Sequence, residues 1–208
     1  MSYLKDPAAI YERSFAIVRD EADLSGLPPA LEPVAVRLMH ACGMTDLVAD
    51  LRFDDGVVAS SSAALSAGCA IFADCEMAAR AIIGKALPAA CEVVCTLNHD
   101  SVPGLAKARG TTRSAAAVSL WADRLDGAVV VIGNAPTALF ALLELIDEGA
   151  PKPAAILGFP VGFVGAAESK QALADNPRGI PFITLLGRRG GSAMAGAALN
   201  AIALGAGA

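Results

Sequence analysis

The chain has 208 residues, 55% of them hydrophobic and only 18% charged, with a formal net charge of -5. That is enough apolar material for one α/β domain with a sizeable core. Without any run of Lys or Arg, nucleic acid and anionic membrane surfaces are poor candidate partners.

The N-terminal stretch MSYLKDPAAIYERSF is charged and has no apolar core, so no signal peptide is expected. DPAAIYERSFAIVRDEAD then reads as a helix with Ile10, Phe15 and Val18 on one face. LPPALEPVAVRLMHACG reads as a second helix. Pro28 or Pro29 would suit its first turn and Gly43 the position after its C-terminus, while Pro33 inside the run is awkward unless the helix begins only there. These two helices form an N-terminal extension, residues 1–60, that must dock on the rest of a single domain covering 1–208.

From about residue 69 short β-branched runs alternate with amphipathic ones. Candidate strands are 69–73, 92–97, 128–133, 154–159 and 181–187. Candidate helices are 75–85, 112–125, 136–149, 166–175 and 192–204. The alternation predicts an α/β fold: a doubly wound, flavodoxin-like, mostly parallel five-stranded sheet. The segment 190–208 has no charged side chain, but its Ala and Gly gain little from lipid. A buried or interface helix is the better reading than a membrane span.

Five cysteines occur at 42, 69, 75, 91 and 95, with no C-x-x-C. Free thiols in a reducing cytoplasm are expected, and the two histidines stand too far apart in sequence for a structural zinc motif.

Ligands of open α/β sheets bind beyond the carboxyl ends of the strands, so the loops there carry the interest. GNAPTAL (133–139) and GRRGGS (187–192) open into helices and should offer free backbone N–H groups to carboxylates or phosphates. Taken alone, each reads first as an ordinary capped turn, since capping accounts for most such residues. Neither G-x-G-x-x-G nor a P-loop is present, and no G-x-S-x-G elbow occurs.

His40 lies in the last turn of its helix, where the negative end of the dipole favours imidazolium, a competent general acid. Arg37, one turn earlier, would oppose that charge unless an anionic ligand lay between them. The competing reading of His40 is a core histidine with one hydrogen bond. Ser14 alone means little, Arg113 reads as a solvated arginine, and His99 reads as a surface residue.

Several segments, in order, resemble the precorrin-8X methylmutase family of cobalamin biosynthesis. They are I-Y-E-R-S-F (10–15), R-L-M-H-A-C-G (37–43), G-C-A-I-F-A-D-C-E-M (68–77), T-R-S-A-A-A (112–117), G-N-A-P-T-A-L (133–139) and G-F-P-V-G-F-V (158–164). Cys69-Ala70 departs from the small residue and proline expected there, which affects only a turn. The resemblance implies an isomerase that moves a methyl group on ring C of precorrin-8X to give hydrogenobyrinic acid. It implies a cytoplasmic homodimer with no metal or other cofactor, and neighbouring pathway enzymes as further candidate partners. It puts the catalytic histidine on His40 and substrate contacts on Ser14 and Arg37. By position, Arg113, Ser114 and Asn134 join the pocket. Cobalt-free substrate is the preferred form. A non-catalytic corrinoid carrier stays open as an alternative, as does a small-molecule α/β enzyme of another class.

Overall fold

The computed structural model describes residues 3–87 and 90–205. Asp6 starts the first helix, α1 (Pro7–Glu21), by accepting from the N–H groups of Ala8 and Ala9. α2 (Glu32–Cys42) carries Pro33 in its first turn and ends on Gly43, whose left-handed φ of 71° suits glycine. A 3-10 turn (Thr45–Asp50) then leads to β1 (Leu51–Phe53) and α3 (Val57–Ser66).

The alternating part follows: β2 (Ala70–Ala73), α4 (Glu76–Ala81), β3 (Glu92–Val94), α5 (Val102–Arg109), α6 (Arg113–Val118), β4 (Val129–Ile132), α7 (Pro136–Asp147), β5 (Ala155–Gly158), α8 (Ala166–Asp175), β6 (Phe182–Leu185) and α9 (Ser192–Gly205). The strand order is β1-β6-β5-β4-β2-β3. The five strands from β2 onward are parallel and, counted from β2, follow the 2-1-3-4-5 order of flavodoxin-like folds.

The sheet has six strands, not five. β1 pairs antiparallel with β6, Leu51 opposite Leu185, and so closes one edge. Three residues, Leu-Arg-Phe, are too short for a period-two pattern, which is why the sequence hides it. The sheet therefore begins at residue 51, inside the stretch expected to be wholly helical.

Helices α3 and α5 also escape the pattern. α3 contains three consecutive serines and buries Val57, Ser61 and Leu65 at four-residue spacing. α5 carries Pro103 and Gly104 just after its first residue, Val102; both read as breakers but fit a first turn. The long helix expected over 112–125 splits into α6 and a 3-10 turn (Ser119–Arg124). The fully buried Trp121 needs a partner for its indole N–H and finds it in Thr96 Oγ1 at 2.8 Å.

Both faces of the sheet are covered. In β4, Val129 and Val131 face the cluster built on α2, α3 and α9, while Val130 and Ile132 face the one built on Trp121, α7 and α8. This parity is the two-residue period of a strand, with both faces apolar because helices cover both. α9, the charge-free helix, lies buried against α2, α3 and α4. Its Asn200 is satisfied by Ile83 N–H and Ala81 O. Among the described residues no helix is long and apolar enough to cross a membrane.

Candidate functional site

α2 rests on α9 with Val34, Ala35, Leu38 and Met39 buried, so its opposite side turns outward at the C-terminal end. His40 emerges there, exposed, and the core-histidine reading falls away. α1 crosses α2 and supplies the ring's surroundings. Ser14 Oγ and His40 Nδ1 share a hydrogen bond of 2.8 Å. The Phe15 ring meets the imidazole edge-on at 5.1 Å and 90°, and Tyr11 lies tilted at 5.3 Å. The imidazole is thus held by three side chains, and among the described residues nothing hydrogen-bonds to its Nε2.

Arg37, half-buried one turn before His40, has no carboxylate partner among the described residues. Beside Ser14 a groove of about 410 Å³ is lined by Leu4, Ile10, Arg13, Ile17 and Met39.

The second group of expected residues stands at the carboxyl ends of β3 and β4. Arg113 donates to Leu97 O at 3.1 Å and Asn98 Oδ1 at 2.9 Å, which fixes it at the rim instead of leaving it solvated at large. Thr112 caps α6 through Ala115 N–H and meets Thr137 at 2.8 Å, tying α6 to α7. Ser114 is half-buried and the Asn134 side chain is exposed. His99 bonds only locally, to Ser101, as a surface residue would.

The expectation that GNAPTAL offers free N–H groups needs correction. Asp74, 2% exposed at the end of β2, accepts from Gly133, Asn134 and Ala135 N–H at 2.8, 2.9 and 2.7 Å. These strands flank the topological switch point, where open α/β sheets usually take a ligand's anion. Here the chain supplies its own. Burial pushes the Asp74 carboxyl above the usual range, and the three N–H bonds pull against that push. Gly133 is required for close approach, since a Cβ there would lie 2.7 Å from Ser192 Cα.

GRRGGS is likewise not a bare helix N-terminus. Arg189 reaches back to Asp46 (2.8 Å) and Asp50 (2.7 Å), which follow α2 in the chain, and its Nη1 lies 3.9 Å from Met44 Sδ. Lys170, fully buried in α8, donates to Arg189 O. Burial, then the Arg189 charge, lowers Lys170 to a pKa of about 8.

Asp74 and Arg189 lie in segments the sequence singles out, 68–77 and 187–192, but nothing in those segments tells which partners they take, and Lys170 lies in neither. The position of Asp74 directly after a strand was its further signal. All five thiols are free, and burial pushes Cys69 and Cys95 up to about 11, away from the thiolate form. Among the described residues no three His, Cys, Asp or Glu side chains gather to hold a metal ion.

Continuous contacts run along this rim. Val161 N–H reaches Asn134 O at 3.4 Å, Gly162 N–H reaches Arg188 O at 3.3 Å, and Arg189 reaches the segment after His40. Still, no hydrogen bond or ion pair among the described residues joins His40, Ser14 and Arg37 directly to Arg113, Ser114 and Asn134. The strand-end loops thus form a ledge that the Arg189 clamp joins to the segment after His40.

The family model for precorrin-8X methylmutase matches residues 9–204. The chain belongs to the precorrin-8X methylmutase family. It is similar to the precorrin-8X methylmutase of Pseudomonas aeruginosa, 59% identical over 98% of both chains. It is similar also to a cobalt-precorrin-8 methylmutase of Priestia megaterium, 34% identical over 95% of this chain and 88% of that one. The crystal structure of a precorrin-8X methylmutase from Thermus thermophilus superposes with a TM-score of 0.86 at 42% identity, covering 96% of each chain.

Proposed function

We propose that this methylmutase moves a methyl group between adjacent carbons of ring C in precorrin-8X to give hydrogenobyrinic acid, with His40 as the proton donor. The coarser activity follows from family membership: the chain is an isomerase of cobalamin biosynthesis. The finer assignment rests on one observation, the 2.8 Å bond between Ser14 and His40 Nδ1. When Ser14 donates to Nδ1, the neutral ring keeps its proton on Nε2, and an imidazolium carries one on both nitrogens. In both of these states Nε2 carries a proton to give, whereas a neutral ring donating Nδ1–H to Ser14 would have none there.

Protonating a macrocycle nitrogen withdraws electrons from the conjugated system and favours the shift. The proton returns when the product forms, because substrate and product are isomers. Tyr11 and Phe15 hold the imidazole so that no rotation is needed at the moment of transfer. Arg37 is the cation placed to meet a substrate carboxylate beside His40. Arg113, Ser114 and Asn134 would contact the macrocycle along the ledge. A corrinoid carrier needs anion contacts but no oriented imidazole, so the Ser14–His40 pair supports catalysis. The higher identity to the precorrin-8X enzyme than to the cobalt-precorrin-8 enzyme favours a cobalt-free substrate.

A tetrapyrrole is larger than the groove beside Ser14. A homodimer would supply the missing wall, and the exposed Leu4, Ile10, Tyr11 and Ile17 on and near α1 support that. The five free thiols support a reducing cytoplasm as the working compartment.

The test is His40→Ala. Turnover should fall at least about a hundredfold, while hydrogenobyrinic acid still shifts the absorption spectrum on binding. Near-normal turnover in that variant would remove His40 from the mechanism.

A further inference from the structure

The loop after β5 holds two large apolar side chains in water: Phe163 is 83% exposed and Val164 89%. Nothing about the loop is loose. Pro160 and Ala166 are buried at its two ends, and Gly165 packs so closely on Pro136 that a Cβ would come within 3.3 Å of it. Gly162 N–H bonds to Arg188 O. A tethered loop that displays Phe and Val to solvent forgoes the burial both side chains favour, which marks a surface made for contact.

Next to it stands Arg188, its guanidinium carbon 5.3 Å from the Phe163 ring centroid. Its neighbour Arg189 is spent on Asp46 and Asp50, and its backbone is pinned by Lys170. Among the described residues, no carboxylate or carbonyl accepts from the Arg188 side chain. The rim therefore presents an aromatic ring with the Arg188 guanidinium over one face, the other face being left for contact.

We propose that Phe163 and Arg188 form a substrate subsite: the ring lies against the flat apolar macrocycle and the guanidinium takes a peripheral carboxylate. This rests on the function proposed above. The charge complementarity decides the occupant, because a flat apolar ring edged with carboxylates offers both partners in the arrangement the loop displays. The subsite lies on the ledge between Asn134 and the segment that follows His40, so one macrocycle could reach from it toward either group.

Hydrogenobyrinic acid is titrated by absorbance into wild type, Arg188→Ala, Arg188→Lys and Phe163→Ala, with sedimentation of each protein alongside. Arg188→Ala should raise Kd about tenfold, the usual loss for one charge-assisted bond. Arg188→Lys should recover part of it, since a point charge replaces the fork. The fully methyl-esterified product should bind wild type and Arg188→Ala alike. Phe163→Ala should weaken the acid and the ester equally, with unchanged sedimentation for every variant. A wild type that binds hydrogenobyrinic acid beside an unchanged Arg188→Ala overturns this subsite alone. A wild type that binds none overturns it together with the proposed function. Variants that sediment as a smaller species overturn it too, since the loop would then be a contact between copies of this chain.

Discussion

The loop after β4 and the loop after β6 look alike on paper. Each leaves a parallel strand, each is glycine-bearing, and each opens a helix at the carboxyl edge of the sheet. In the folded chain they do opposite things. Gly133–Ala135 turns its three N–H groups inward onto Asp74 and leaves only the Asn134 side chain for a visitor. The β6 loop divides two adjacent arginines, one clamped to Asp46 and Asp50 and one held at the rim. Whether a helix-opening loop can take an anion depends on which carboxylates the rest of the chain brings to it.

The largest break in this comparison should come from Asp74→Ala. Three N–H groups lose their acceptor, two of them in buried residues, and stability should fall by about 3 kcal/mol or more in urea unfolding. Near-neutrality would mean that the switch point is not held by this carboxylate. Asp74→Asn should cost less, and its pH dependence has a definite sign. The folded-state pKa of Asp74 is raised, so its contribution is fully present below the ordinary carboxylate range and is lost as pH rises through the raised value. Wild type should therefore lose ground to Asp74→Asn as pH rises above the ordinary carboxylate range, about 4.

Next in size is Arg189→Ala. Its carboxylate partners are substantially exposed, so stability should drop only by about 1 kcal/mol. Turnover should fall as well, because the segment after His40 loses its tether. A variant with reduced stability and wild-type turnover would show that the clamp does not position His40.

Lys170→Met sharpens the same loop through pH. The folded pKa of about 8 lies below the ordinary lysine value, so the Lys170 contribution is present above that ordinary value and lost as pH falls through about 8. Between about pH 8 and about pH 10, wild type should gain stability relative to Lys170→Met. A constant difference would place the titration elsewhere. The smallest effect belongs to Arg188→Ala, which should change stability by less than about 0.5 kcal/mol. A loss equal to that of Arg189→Ala would erase the division of labour between the two.

The parallel strands could be read because helices cover both faces of the sheet, and such strands become unbroken apolar runs: Val129–Ile132 needs no partner to announce itself. The end of the His40 helix could be read because Gly43 supplies a left-handed residue. β1 could not, since three residues become a strand only through pairing with β6. α5 could not, since Pro103 and Gly104 read as breakers and are tolerated only in a first turn.

By itself, then, the sequence determined the flavodoxin-like order of parallel elements, the family, and the types of residue that could carry the chemistry. The elements follow from local pattern, where apolar period and capping residues act within a few positions of each other, and the family follows from the resemblance of the segments quoted above. Only the tertiary structure decided that Ser14 orients His40 across 26 residues, that Asp74 fills the switch point across about 60, and that Arg189 is spent while Arg188 is not. Each of those outcomes depends on which partner reaches a charged or polar group first, and the partner lies in a distant part of the chain.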